Sequence, residues 1–239
     1  MAGDAAAGQR LAALSDRITV CRRCPRLVEH RELEARLKRP RFAAWEYWGR
    51  PVPGFGDPRG RLCIVGLAPA SHGGNRTGRV FTGDPSSSFL MPALHRAGFA
   101  SQPTSERRDD GLRLRDAYII AALRCAPPGD RPTAEEMERC RPFLVEELGL
   151  LPNVRAVLAL GRVAFDAYLR AVASIGGSPR REAKPRPVFR HGAAYPMGEG
   201  QPTLFASYHP SPRNTNTGRL TTGAFAGVLD GIREFLEPR

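Results

Sequence analysis

Residues 61–84 read RLCIVGLAPASHGGNRTGRVFTGD, and this stretch decides the fold. The apolar run 61–67 is typical of a buried β-strand. A long loop of Gly, Pro and small polar residues follows it, and then Asp84-Pro85, a favourable N-cap and first position of a helix. Loops of this length between a strand and a helix are uncommon unless they are functional. The sequence therefore predicts a strand, a functional loop and a helix, in that order.

Three further apolar runs predict strands, and amphipathic segments between the runs predict helices. The runs are AYIIAAL at 117–123, VRAVLAL at 154–160 and TLFASY at 203–208. The predicted helices cover residues 9–20, 26–38, 84–98, 133–148, 162–173 and 222–236. Because strands alternate with helices, we expect an α/β fold, a three-layer α/β/α sandwich around a four-stranded, mainly parallel sheet. Ligands of such sheets bind beyond the carboxyl ends of the strands.

The length of 239 residues indicates a single domain, residues 1–239, which is long enough for a full hydrophobic core. We expect residues 1–10 to be flexible, because they contain no apolar segment. Residues 174–202 are rich in Gly, Pro and Arg, and we interpret them as an inserted basic loop that could hold a hairpin. No apolar run approaches the ~20 residues that span a bilayer, so we expect a cytoplasmic protein without a membrane partner.

The charge of the chain is strongly positive, with 36 Lys and Arg against 24 Asp and Glu and a formal net charge of +12. Such a charge attracts nucleic acid over a long range, although a solvated basic surface is the alternative. The same two interpretations apply to residues 178–190, SPRREAKPRPVFR, which either contact the DNA backbone or form a solvated loop.

Small residues at 66–70, GLAPA, would let a flat ligand approach the backbone at the end of the first strand. Phe81 could stack on such a ring, or it could be a core residue that anchors the loop. Residues 73–79, GGNRTGR, lack the Lys and Ser or Thr of a P-loop, which disfavours a phosphate cradle. His209 follows the fourth strand and therefore lies at the same end of the sheet. Its loop supplies polar candidates for DNA contacts, which are Ser211, Arg213, Asn214, Asn216 and Arg219.

Two of these stretches resemble known motifs. GLAPASHGGNRTGRVFTGD after the first strand and HPSPRNTNTG after the last resemble motifs A and B of the uracil-DNA glycosylase superfamily, in the form of its family 5. The resemblance implies the α/β/α fold and a DNA repair enzyme without lyase activity. Such an enzyme flips a deaminated base out of DNA and hydrolyses its N-glycosidic bond, which leaves an abasic site. The implied partner is double-stranded DNA, with single-stranded DNA as a second candidate, and the implied protein is a nucleoid-associated monomer.

The resemblance also implies residue roles. His209 is expected to donate a hydrogen bond to the departing base, with His72 as a second candidate. Asp84 is expected to hold the attacking water, although Asp84 before Pro85 could be only a helix cap. Asp130 is a further candidate, but relatives often carry Asn there and it could be a turn residue. The expected substrate-binding residues are Gly66, Leu67, Ala68, Pro69, Ala70, His72, Asn75 and Phe81.

Four of the five cysteines have a spacing that is typical of a metal site, and disulfides are not expected in the cytoplasm. Cys21 and Cys24 form a C-x-x-C motif, and Cys125 and Cys140 follow at a distance. By their chemistry alone, four thiolates could hold Zn²⁺ or an iron–sulfur cluster. The resemblance implies a structural [4Fe-4S] cluster. We expect Cys63 to be a small buried hydrophobic residue.

The range of substrates is predicted from the lack of a side-chain amide on the second predicted strand. Family 4 enzymes carry an Asn on the second strand that reads the edge of uracil, whereas residues 118–123 contain no side-chain amide. A pocket without this partner discriminates poorly, so we expect cleavage of uracil and also of hypoxanthine and other damaged bases. The loop 211–218 is expected to enter the DNA beside the vacated stack. Two alternatives are a non-catalytic DNA-lesion-binding module, because GLAPA has no carboxylate, and an iron–sulfur electron carrier.

Overall fold

The computed structural model describes residues 2–175 and 187–237. One sheet of six strands lies at its centre in the order β1-β3-β2-β4-β6-β5. The strands are β1 Phe55–Gly56, β2 Leu62–Gly66, β3 Ala117–Ala121, β4 Ala156–Leu160, β5 Ala194–Tyr195 and β6 Thr203–Ser207. The helices are α1 Ala2–Thr19, α2 Pro25–Leu37, α3 Gly74–Thr77, α4 Pro85–Arg96, α5 Ala134–Gly149, α6 Arg162–Ile175, α7 Pro212–Thr215 and α8 Thr222–Leu236.

The four predicted strands form the parallel centre of the sheet, which confirms the predicted α/β/α fold. β2 lies between β3 and β4, with Ile64 opposite Ile119 on one side and Leu158 on the other. The two edge strands are antiparallel, β1 to β3 and β5 to β6. Each edge strand has only two residues, and a segment this short carries no periodicity from which it could be predicted.

The helices cover both faces of the sheet, as a parallel sheet requires. Alternate side chains of a strand point to opposite faces. Ile64 accordingly packs in the cluster that includes Phe225 of α8, whereas Cys63 and Val65 pack in the cluster that includes Phe165 of α6. Cys63 is fully buried, which confirms its prediction as a core residue.

Asp84 is the N-cap of α4, as predicted, and it also forms a capping box with Ser87. At the start of α5, Thr133 forms the capping box with Glu136 that its sequence spacing predicts. Helix α1 starts at Ala2, earlier than the predicted residue 9. Among the described residues, no helix is long and apolar enough to cross a bilayer.

The predicted insert 174–202 is described only in part. Within the insert, the structure describes one strand, β5, which pairs antiparallel with β6. Because β6 lies beyond residue 202, this pair is not the hairpin that we expected within the insert. Residues 176–186 lie outside the described residues, and so does most of the basic stretch 178–190.

Candidate active site and cysteine cavity

The loops after β2 and β6 meet at the carboxyl ends of these strands. The rings of Phe81 and His209 lie 5.8 Å apart, tilted by 32°. Phe81 also covers Gly66, because a Cβ atom added to Gly66 would lie 2.7 Å from Phe81 Cε2. The backbone of Phe81 has a φ of +48°, which costs energy in a bulky residue and marks a position that its surroundings hold in place. Gly66, Phe81 and His209 are therefore brought together as the sequence predicted.

Asp84 lies beside this group, at the start of α4. Its Oδ1 accepts a hydrogen bond of 2.9 Å from the backbone N–H of Ser87. Its other oxygen, Oδ2, faces Gly73 so closely that a Cβ atom on Gly73 would overlap it and would lie 2.9 Å from Asp84 Cγ. One oxygen thus caps the helix, while the other lies under the loop that follows β2.

The surroundings of Asp84 change its acidity. Burial is the largest effect and raises the pKa of the carboxyl group to about 6. Hydrogen bonds from the backbone N–H groups of Ser87 and Ser86 act in the opposite direction and lower the pKa. Arg76 lowers the pKa further and the charge of Asp130 raises it. A carboxylate whose pKa lies near 6 is ionised at neutral pH and is well matched to accept a proton.

Asp130 belongs to the same end of the sheet. It ends a 3₁₀ turn, Pro128–Asp130, beyond β3, and it is exposed with a φ of +58°. Because its charge raises the pKa of Asp84, the two carboxylates lie within electrostatic reach of one another.

The surroundings of His209 determine the protonation state of its imidazole ring. Burial lowers the pKa of its imidazole to about 4, so the ring is uncharged at pH 7. A neutral imidazole carries one N–H that can donate a hydrogen bond. The carbonyl oxygen of His209 accepts a hydrogen bond of 2.8 Å from Asn214 Nδ2, so the Asn214 side chain holds the loop in place.

His72 and Asn75 are not brought into the Phe81–His209 group. The ring of His72 lies between Tyr47, whose OH is 3.1 Å from Nδ1, and Glu34, whose Oε2 is 3.1 Å from Nε2. Asn75 is buried, and its Nδ2 donates to the carbonyl oxygen of Arg31 at 3.0 Å. Both side chains thus connect the loop after β2 to α2 and the segment that follows it.

The remaining candidates lie on the outer loop. Ser211 is the N-cap of α7, and Arg213 and Asn216 are exposed. The guanidinium of Arg219 lies 4.4 Å above the ring of Tyr208, and the ring of His191 stacks on the same tyrosine at 4.9 Å.

Sequence reasoning missed one residue that acts directly on the site, Arg76. It is buried, its Nε donates to the carbonyl oxygen of His72 at 2.7 Å, and its Nη2 donates to that of Gly83 at 2.8 Å. These bonds hold both ends of the loop that encloses Asp84. The sequence feature that could have indicated Arg76 is its position as the one arginine within the Gly-rich segment HGGNRTG at 72–78. A solvated arginine side chain fits that segment equally well.

Comparisons with known proteins identify the family of this chain. The family model "Uracil DNA glycosylase superfamily" matches residues 53–233. A type-5 uracil-DNA glycosylase of Thermus thermophilus is 53% identical over 89% of this chain and 92% of its own length. One of Pyrobaculum aerophilum is 46% identical over 90% and 88%. A type-4 enzyme of the same organism is 32% identical over 52% and 56%. The chain belongs to the uracil DNA glycosylase superfamily, in its type-5 branch.

The part of the chain that matches the superfamily model contains the whole candidate active site, from β2 to the loop after β6. It also contains Cys125 and Cys140, whereas Cys21 and Cys24 precede it.

All four predicted metal ligands of this type-5 chain line one cavity, together with apolar side chains and three arginines, Arg23, Arg124 and Arg139. Cys140 accepts a hydrogen bond of 3.4 Å from the backbone N–H of Arg124. Burial raises the pKa of Cys140 to about 11 and that of Cys125 to about 12. Residues 2–175 and 187–237 form no group of three or more Cys, His, Asp or Glu that could hold a single metal ion.

The cysteine cavity has a buried positive charge in its wall. Arg124 forms an ion pair with Glu147, and each side chain is only 1% exposed. Glu147 also accepts hydrogen bonds from Tyr118 and from the backbone N–H of Gly54. Arg124 Nε and Nη1 have no hydrogen-bond partner among the described residues. Unpaired donors of this kind fit a negatively charged occupant, such as metal-bound thiolates.

The buried carboxylate generates a prediction about stability. Since the pKa of Asp84 is about 6 in the folded chain and about 3.9 when unfolded, the folded state holds the proton more tightly, and stability falls as pH rises through this window. Asp84→Asn removes that cost and keeps a good N-cap. We expect the variant to exceed the wild type in free energy of unfolding by about 3 kcal/mol at pH 8, and by much less at pH 4. Urea denaturation at the two pH values measures this difference.

The matched control is Asp230→Asn on the exposed face of α8, which should leave the pH dependence unchanged. An Asp84→Asn variant that is no more stable than the wild type at pH 8 would show that the carboxylate is not destabilised by its surroundings.

Proposed function

We propose that this chain is a DNA repair enzyme that hydrolyses the N-glycosidic bond of uracil in DNA and leaves an abasic site. The observation that carries the proposal is the convergence of Phe81, neutral His209 and the desolvated Asp84 at the carboxyl ends of β2 and β6. Relatives named type-5 uracil-DNA glycosylases, which match most of the chain, support the same conclusion.

The base must first leave the DNA duplex, because its glycosidic bond is inaccessible within the stack. We propose that the flipped base rests on the backbone of residues 66–70 with its ring against Phe81. Stacking of a base on an aromatic ring contributes about 1–3 kcal/mol. The lack of a side chain at Gly66 supports this arrangement, since it leaves the Phe81 ring packed directly on the strand end.

Hydrolysis then breaks the bond between C1′ and the base nitrogen, and the bonding electrons leave with the base. We propose that the N–H of neutral His209 donates to the oxygen of the base as negative charge grows there. Asp84 would hold a water molecule at C1′ and accept its proton, so that the sugar gains the hydroxyl group. Asp130 would share the positioning of this water. No covalent bond between enzyme and sugar forms in this sequence, so we expect no lyase activity.

The substrate range follows from the wall of the pocket. Strand β3 ends at Ala121 and is followed by Ala122 and Leu123. All three residues are buried, and none has a side chain that could hydrogen-bond to a base edge. We propose that hypoxanthine and other damaged bases are therefore cleaved as well as uracil. The substrate would be double-stranded DNA, and also single-stranded DNA, acted on by a monomer at the nucleoid in the cytoplasm.

We also propose that Cys21, Cys24, Cys125 and Cys140 hold a [4Fe-4S] cluster with a structural role. The shared cavity and the unpaired donors of Arg124 support this ligand set. When bound, such a cluster would cross-link the segment before α2, the end of β3 and α5 through iron–thiolate bonds.

Single-turnover cleavage tests the active site. Wild type should convert a duplex with one U·G mismatch to alkali-labile abasic sites. Asp84→Asn should lower this rate at least about a hundredfold, since general base catalysis contributes 10²–10⁴-fold. His209→Ala should lower it by more than about tenfold, and Asp230→Asn should retain the wild-type rate. Tight DNA binding by wild type without any cleavage would instead identify a lesion-recognition module.

Metal analysis tests the cysteine site. Protein purified without oxygen should contain about four iron atoms per chain. Cys125→Ser and Cys21→Ser should lose this iron, whereas Cys63→Ala should keep it, because Cys63 is buried between strands and away from the cavity. Iron-free wild-type protein, or a Cys125→Ser variant with full iron content, would refute the ligand set.

A further inference from the structure

A second group of basic residues contacts the loop that contains Arg76 and Gly83 and is separate in sequence from the loop 211–219. The segment before β1 and the loop before β3 place arginines on aromatic rings there. The guanidinium of Arg107 lies 4.4 Å above the ring of Trp45, and that of Arg108 lies 4.6 Å above the ring of Trp48. Arg50 lies 5.6 Å from the Trp48 ring. The arginine–tryptophan surface consists of Arg41, Trp45, Trp48, Arg50, Arg107 and Arg108.

This surface is joined to the active site by direct contacts. Arg76, which encloses Asp84, lies 4.0 Å from the rings of both Phe42 and Trp45. Gly83, immediately before Asp84, donates its N–H to the carbonyl oxygen of Ser105 at 2.7 Å, two residues before Arg107. The arginine–tryptophan surface therefore borders the entrance to the site.

The four arginines of the surface are exposed, and none has a carboxylate partner within 4.0 Å among residues 2–175 and 187–237. Several other arginines differ, since Arg26 of α2 and Arg139 and Arg141 of α5 are paired with glutamates. The exposed acids of the same segments, which are Glu46, Glu106 and Asp109, form no ion pair with the four. The positive charges of this surface are available to an external anion.

The stacking of the arginines on the tryptophan rings indicates which kind of anion the surface would bind. A guanidinium that lies on a ring keeps its N–H groups pointing outward in a fixed plane, which matches the oxygens of a phosphate. The faces of Trp45 and Trp48 are already covered by arginines, so unpaired bases cannot stack there without displacing them.

We propose that the arginine–tryptophan surface binds the phosphates of duplex DNA beside the flipped nucleotide. This inference rests on the proposed function, because it adds phosphate contacts to the DNA site proposed above. Arg213 and Arg219 are exposed on the loop after β6, so the duplex would be held by two separate groups of arginines, one on the loop after β6 and one beside the loop after β2. Each phosphate contact releases a counterion and makes binding dependent on salt.

The test is the affinity of the full chain for a short unmodified DNA duplex between about 50 and 200 mM salt. Arg107→Ala/Arg108→Ala should reduce the slope of log Kd against log salt by about 1.8, and should raise Kd about thirtyfold at about 0.15 M salt. Arg41→Ala/Arg50→Ala should have a similar effect. The control is Arg113→Ala/Arg115→Ala, which removes the same charge from exposed positions before β3, at the opposite end of the sheet, and should change Kd less than about twofold.

The variant Arg107→Lys/Arg108→Lys distinguishes loss of charge from misfolding in the alanine pair. It keeps both charges, so it should have the wild-type dependence of Kd on salt. If the alanine pairs bind with the Kd and slope of the Arg113/Arg115 control, the proposal is wrong. Tighter, salt-independent binding of a single strand would indicate base stacking on the tryptophans and would also overturn it. Unmodified DNA makes this result independent of catalysis, so a wild type that cuts no uracil refutes the proposed function but not this surface.

Discussion

The Asp84 carboxylate is packed against Gly73 so tightly that no side chain fits between them. One oxygen caps α4, and the other faces Gly73 of the loop after β2, so the carboxylate is only partly exposed. Burial of a charge is costly, so the surrounding loop must be held closed by other interactions. Arg76 provides two of them, through hydrogen bonds to His72 and Gly83. Burial of the Asp84 carboxylate thus has two effects. It raises the pKa, which suits the group to accept a proton, and it lowers the stability of the folded chain at neutral pH.

Helix α2 connects this loop to the cysteine cavity. Arg31 of α2 is buried, its Nη1 donates to the carbonyl oxygen of Gly49, and its own carbonyl accepts from Asn75. Cys24 is the N-cap of the same helix. A group bound by the cysteines would therefore stabilise the N-terminus of α2, and the middle of this helix, at Arg31, contacts the loop around Asp84. The proposed cluster would thus support the active site through α2 without any part in the chemistry.

The sequence predicted the parallel centre of the sheet, because continuous apolar runs such as Leu62–Gly66 and Ala156–Leu160 have a single good interpretation. It predicted the proximity of Phe81 and His209, because the carboxyl ends of parallel strands meet. It could not predict the two-residue edge strands, or that His72 would bond to Tyr47 and Glu34. Those contacts depend on how distant segments pack, which no local pattern encodes.

The central claim is that a desolvated Asp84 must be ionised for the reaction. The pH dependence of the single-turnover rate on a U·G duplex tests it most directly. Because burial raises the pKa of Asp84 to about 6, the rate should rise about tenfold per pH unit below that value and level off above it. A rate that stays constant between pH 5 and pH 8 in a folded, DNA-saturated enzyme would contradict the claim and would leave Asp84 as a helix cap alone.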